Sequence, residues 1–258
     1  MTALPSTRGR MLALVAALLG WMFDGLEMGL FPLVGRPALR ELLPTGSTEE
    51  EVGRWYGVIT AGFLVGAATG GVLFGWLGDK LGRIRALTLS VLVYAGSSGL
   101  CVLVTNPWEL AGLRFAGALG MGGEWALGVA LVMELWPGAS RGWLAGWIGA
   151  FGNLGYLIVG AVALGLAQSG GQLGGWVESL GFSSYWASRL TANGNWRLLM
   201  LFGAVPALLT LLIRLFVPES DRWLKEKAAG AASYWSAYDL LVVLFGAAVA
   251  AGLIAIWA

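Results

Sequence analysis

Seven apolar runs of close to twenty residues divide this chain, near 11–35, 55–77, 85–105, 110–133, 143–167, 196–217 and 239–258. About twenty residues at a rise of ~1.5 Å cover the ~30 Å hydrocarbon core of a bilayer. Runs of that length read as membrane-spanning helices rather than core helices of a soluble domain. Composition agrees: 57% of residues are hydrophobic and 12% charged, which excludes an ordinary soluble domain. The 41 glycines lie well above the usual share of about 7%, as suits helices that pack backbone to backbone in lipid.

The first run, Met11 to Val34, contains two acids, Asp24 and Glu27. A carboxylate at bilayer depth costs roughly 2.5–3.5 kcal/mol on insertion scales. Three residues apart, the two fall on one side of a helix. Such a pair is expected to face a bundle interior or a watery cavity, where carboxylates handle protons, ions or substrates. Arg8 and Arg10 ahead of the run resemble the basic region of a signal peptide, but no small-x-small cleavage site follows.

Lysine and arginine in the loops set the orientation. With a cytoplasmic N-terminus, the inner side holds Arg8, Arg10, Lys80, Arg83, Arg85, Arg141, Arg214, Arg222, Lys225 and Lys227. The outer side holds Arg36, Arg40, Arg54, Arg189 and Arg197, and Arg114 lies inside the fourth span. The excess supports an inside N-terminus, in a plasma or bacterial inner membrane. Trp55, Trp108, Trp143 and Trp196 fall near helix ends, where indole rings favour the interface. Loops 36–54 and 168–195 are then external, the second a surface loop with no metal-ligand or nucleophile pattern. The chain has no histidine, so imidazole relays and His-ligated zinc are excluded. Cys101 is the only cysteine, so no intrachain disulfide forms. A net charge of +1 gives no sign of a nucleic-acid partner. No cofactor motif and no catalytic constellation is present, so an enzyme is not expected.

Between spans two and three stands Gly75-Trp76-Leu77-Gly78-Asp79-Lys80-Leu81-Gly82-Arg83-Ile84-Arg85. Gly82 permits a tight turn, Asp79 can cap a helix or pair with a cation, and the basic cluster suits an anionic inner surface. This segment resembles the signature loop of the major facilitator superfamily. Ile84 departs from it, standing where the family often has a basic residue. Arg114-Phe115-Ala116-Gly117 through Gly120, Gly123 and Glu124 looks like the Arg-then-Gly-rich fourth helix of its organic-anion/proton symporters. Glu134-Leu135-Trp136-Pro137 through Arg141 and Gly142 resembles the loop between helices four and five. Pro218-Glu219-Ser220-Asp221-Arg222-Trp223-Leu224 is similar to an element after helix six of sugar porters, with Asp221 replacing a proline. Gly20-Trp21-Met22-Phe23-Asp24-Gly25-Leu26-Glu27 looks like helix one of sialate/lactate:proton symporters.

The resemblance implies an all-α integral membrane fold, the six-helix N-terminal half of a major facilitator, built as two inverted three-helix repeats, plus a partial or complete seventh helix. The implied divisions are a cytoplasmic N-terminus at 1–10, the transporter half at 11–217, a cytoplasmic linker at 218–238 and a seventh helix at 239–258. It also implies proton-coupled symport of organic anions or sugars, with helices one and four lining the cavity. On the fourth span, Arg114, Gly117, Gly120, Glu124 and Gly128 share one arc. Arg114 is expected to orient an anionic substrate while Asp24, Glu27 or Glu124 takes up a proton. The alternatives are a structural ion pair for Glu124 and a snorkelling side chain for Arg114. Gly62, Gly66 and Gly70, with Gly142 and Gly146, are expected to be helix-packing positions. Asn153 and Tyr156 are candidate polar liners.

A transporter of this kind has two six-helix halves, so the chain is expected to be truncated, working with a missing C-terminal half or a second copy. Its other partners are the lipid bilayer, protons and a small-molecule substrate. A non-transporting membrane scaffold or regulator acting through oligomerisation is the alternative. A retinal protein is disfavoured because 239–258 contains no lysine. A three-plus-one-plus-three sugar facilitator leaves the Asp79–Arg83 loop unexplained.

Overall fold

The computed structural model describes residues 7–135, 141–169, 171–206, 223–224, 228–229 and 237–257. Five long helices run in order: α1 (Thr7–Leu42), α2 (Glu49–Leu81), α3 (Arg83–Leu100), α4 (Pro107–Leu135) and α5 (Arg141–Gln168). The short helices α6 (Gln172–Ser179), α7 (Ser184–Thr191) and α8 (Trp196–Phe202) follow, and then α9 (Ala237–Trp257). Local chemistry explains several boundaries. Thr48 and Glu51 close a reciprocal capping box at the start of α2. At the start of α4, Pro107 occupies the first turn and the Asn106 side chain accepts from the Glu109 amide at 3.0 Å. Gly82 separates α2 from α3 at φ 109°, a backbone geometry that side-chain-bearing residues rarely adopt.

Among the described residues, Leu14–Leu42, Glu49–Leu81, Arg83–Leu103 and Gly142–Gln168 are long and apolar enough to cross a membrane. The fourth expected span, within α4, is interrupted by Arg114 and Glu124. It does not need a lipid-compatible surface there, because both charged residues are buried against other helices. Of the sixth span only its beginning, α8, is described. The expected surface loop at 168–195 instead forms α6 and α7, whose Val177, Ala187 and Leu190 make a small apolar cluster.

The main pairings are α1 with α5, α2 with α4 and α3 with α4, and α9 lies against α2. Glycine lets the first two pairs meet backbone to backbone. A Cβ on Gly25 would collide with the Gly152 carbonyl, and one on Gly155 with the Met22 carbonyl. In the other pair, Gly122 abuts the Ala67 carbonyl and Gly70 the Leu119 carbonyl. One residue offset carries Met22 onto Leu119 and Gly25 onto Gly122. A second carries Ala67 onto Gly152 and Gly70 onto Gly155. The two interfaces are therefore copies, with helix one exchanged for helix four and two for five, as an internal three-helix repeat requires.

The expected packing glycines divide. Gly66 and Gly70 meet α4, whereas Gly62, Gly142 and Gly146 have open space where a Cβ would stand. Four-residue spacing identifies a stripe on one helix but not what lies across from it.

Candidate solute and proton site

Asp24 and Glu27 both point into the bundle from α1, as their spacing predicts, but into different surroundings. Glu27 is 1% exposed and forms an ion pair with Arg114, itself 3% exposed. The Ser98 hydroxyl donates to the second Glu27 oxygen at 2.9 Å. The Arg114 guanidinium also lies over the rings of Phe63 and Phe31, at 4.8 and 5.3 Å from their centroids. Arg114 therefore does not snorkel to the outer interface. It is bound inside the bundle to a partner that spacing along one helix could not identify.

Asp24 has no such partner: both carboxylate oxygens are buried without a hydrogen bond. The same holds for one Glu124 oxygen and for the Tyr94 hydroxyl. Glu124 lies against Gly20 of α1 and near Tyr94 of α3. Among the described residues, no basic side chain forms an ion pair with it. The four intramembrane candidates thus form two groups, Glu27–Arg114–Ser98, satisfied, and Asp24 with Glu124 and Tyr94, unsatisfied. Asp24 also lines a cavity of about 200 Å³ between α1, α4 and α5. Trp21, Trp125 and Tyr156 supply aromatic surface there, and Asn153 lines it with its amide donated to Gly149 O at 2.8 Å. Among the described residues, no group of three or more His, Cys, Asp or Glu is placed to hold a metal ion.

The signature loop is built as its chemistry suggests. Asp79 pairs with Arg83 at 2.9 Å, Lys80 lies over the Trp76 ring at 4.2 Å, and Arg85 is exposed. Gly75 has open space beside it, so the close approach belongs to Gly78, where a Cβ would meet Leu127 at 2.5 Å. The Trp223 indole donates to the Asp79 carbonyl at 2.8 Å, joining the segment after helix six to this loop. Glu219 and Arg222 lie outside the described residues, as do the side chains of Glu134 and Arg141.

A second polar network, where α1 ends, was not anticipated. Glu41 accepts from Arg197, from the Trp196 indole at 2.7 Å and from Asn193 at 2.8 Å. Arg197 also donates to the carbonyls of Val102 and Val104, the closing turn of helix three. Trp196 is fully buried, not interfacial. The sequence signal that could have found it is Glu41, an acid at the end of the first apolar run's helix.

Long apolar helices around buried charge define a multi-pass membrane protein with a transporter-like core. A family model described as sugar (and other) transporter matches residues 12–235. The chain belongs to that family, whose members are transporters and not enzymes. It is 33% identical over 147 residues to a putative metabolite transport protein of Haemophilus influenzae, covering 54% of this chain and 34% of that one. It is 29% identical over 206 residues to the niacin transporter NiaP of Acinetobacter baylyi, covering 80% and 40%. The partially occluded inward open structure of the xylose transporter XylE from E. coli superposes with a TM-score of 0.66 at 21% identity, covering 96% of this chain and 58% of that one. The fold is thus that of a major facilitator, over its N-terminal half. The chain spans between a third and a half of the length of these curated relatives.

Proposed function

We propose that the chain is the N-terminal half of a proton-coupled transporter of a small organic anion or sugar, working by alternating access with a C-terminal half or a second copy. In this reading 11–217 form the six-helix half, 218–238 a cytoplasmic linker and 239–258 the start of the other half, with the N-terminus cytoplasmic in an inner membrane. The observation that carries it is the buried Glu27–Arg114 pair, one helical turn from the Asp24 cavity. Ionised Glu27 holds the guanidinium. A proton on Glu27 cancels that attraction and frees the positive charge of Arg114 to favour an anionic solute nearby. Loss of the proton restores the ion pair and removes that attraction, so proton and solute movements are coupled. The relative named as a niacin transporter supports the acidic-solute class. The exposed face of α5, carrying Trp143, Trp147 and Leu157, is available to lipid or to the other half.

The test is uptake into proteoliposomes of radiolabelled monocarboxylates, sialic acid and hexoses, with and without an inward proton gradient. Gradient-driven uptake is expected for one class and is lost in Glu27→Gln. Uptake that remains gradient-driven in that variant refutes the assignment.

A further inference from the structure

The Glu27–Arg114 pair leaves Asp24 unexplained. This acid is 7% exposed, lines the α1–α4–α5 cavity, and has no hydrogen-bond partner on either oxygen. The ionisable groups around it are Glu27 on its own helix, Glu124 on α4 and Tyr94 on α3. Among the described residues, Arg114 is the cation of this core, and it is already bound by Glu27. The wall from α5 contributes Tyr156 and Asn153 and no charged residue. Among the described residues, three buried acids therefore share one cation. An ionised Asp24 would stand there uncompensated beside two other carboxylates, and it would repel any anion entering the cavity. A protonated Asp24 does the opposite. It is neutral, and its O–H is a donor at a cavity where one of the two Asn153 amide hydrogens is already given to its own helix.

We propose that Asp24 stands in this cavity as a neutral carboxylic acid and donates its O–H to the carboxylate of a small organic anion. The proposal rests on the reading of the cavity as a solute site and adds a second protonated group to it. It makes proton occupancy of Asp24 a condition for solute entry, separate from the Glu27–Arg114 exchange. No covalent bond changes; the solute carboxylate accepts a hydrogen bond from the acid and lies against Trp21 and Trp125.

Infrared spectroscopy of the full chain in lipid nanodiscs tests this without requiring transport. A protonated-acid C=O band is expected at neutral pH that is lost in Asp24→Asn and kept in Asp24→Glu and in Glu27→Gln. Adding nicotinate is expected to shift that band to lower frequency, and its neutral isostere nicotinamide to shift it less. Absence of an acid band that depends on Asp24 overturns the assignment and leaves the Glu27–Arg114 reading to the uptake assay. A band unmoved by either compound overturns the donor role. A band moved by nicotinamide but not by nicotinate keeps the solute cavity and overturns the anion class.

Discussion

The glycine stripe on α2 makes the most exacting demand on the packing. Gly62, Gly66 and Gly70 share a spacing and a helix but meet three different environments. A Cβ at Gly62 has nothing within 4 Å. At Gly66 it would approach the Phe115 carbonyl at 2.8 Å and the Ala118 methyl at 3.0 Å. At Gly70 it would stand 2.6 Å from both the Cα and the carbonyl carbon of Leu119. Those last atoms are backbone and cannot rotate away, so α2 and α4 must separate. Overpacking of this kind costs about 1–3 kcal/mol. The methyl at Gly62 meets no obstacle and gains the helix preference of alanine over glycine, up to about 1 kcal/mol on scales measured in water. Alanine at 62, 66 and 70 should therefore give a graded series: neutral or stabilising, mildly destabilising, and destabilising by about 1–3 kcal/mol. Gly155→Ala, whose Cβ would stand 2.6 Å from the Leu26 amide nitrogen, should match Gly70→Ala, because the two positions are equivalent in the repeat. Equilibrium unfolding by SDS titration in mixed micelles reads all four. Equal stabilities for Gly62→Ala and Gly70→Ala would refute the reasoning, since propensity alone treats them alike.

Arg114→Gln leaves Glu27 buried and unpaired and should cost about 3–5 kcal/mol; adding Glu27→Gln should recover most of it, as the same titration would show. Glu41→Ala removes the acceptor shared by Arg197, Trp196 and Asn193 and should cost about 1.5–3 kcal/mol, read as a lowered thermal midpoint in detergent. At the first turn of α4, ahead of the apolar span, the Thr105 backbone amide donates to Glu109 at 2.7 Å and holds that carboxyl below its ordinary range. A depressed carboxyl contributes stability above its unfolded value, near pH ~4.3, and loses it as pH falls through the lower folded value. Glu109→Gln should therefore lower stability slightly at neutral pH, with the gap to the unmodified chain closing as pH falls through the folded value, so that the acid limb of the profile flattens.

Much of this was legible in the chain. Apolar length marked the long helices, and the Asp79–Arg83 spacing gave both the ion pair and the positive φ at Gly82. That Asp24 and Glu27 face the bundle followed from depth and spacing, whereas for Arg114 the sequence left a snorkelling side chain open and the structure buries it. What was not legible lies between helices. A helix period tells which side Arg114 occupies, but not that Glu27 rather than Glu124 stands opposite. The same limit explains why Gly142 and Gly146 looked like a packing stripe while the contact falls further along α5, at Gly152 and Gly155. The 168–195 segment is polar enough to read as loop. Its order comes from long-range bonds, such as Arg189 to the Leu103 and Val104 carbonyls at 3.4 Å, and these leave no periodic trace.

The internal repeat accounts for the asymmetry of the charged core. The offset that carries Met22 onto Leu119 and Gly25 onto Gly122 also carries Glu27 onto Glu124. The two glutamates are thus equivalent residues of the first and second three-helix units, one on each of the helices expected to line the cavity. The pair that Glu27 makes with Arg114 across to α4 has a mirror, from Glu124 across to α1. Under the same offset the residue that would serve Glu124 is Ala17, which is buried and carries no charge. Glu124 therefore lacks a cation because only the second unit carries an arginine at this position. Keeping the cation on one side leaves one acid paired and two unsatisfied among the described residues, and in the reading proposed above that imbalance is what a proton, or an anionic solute with its proton, corrects.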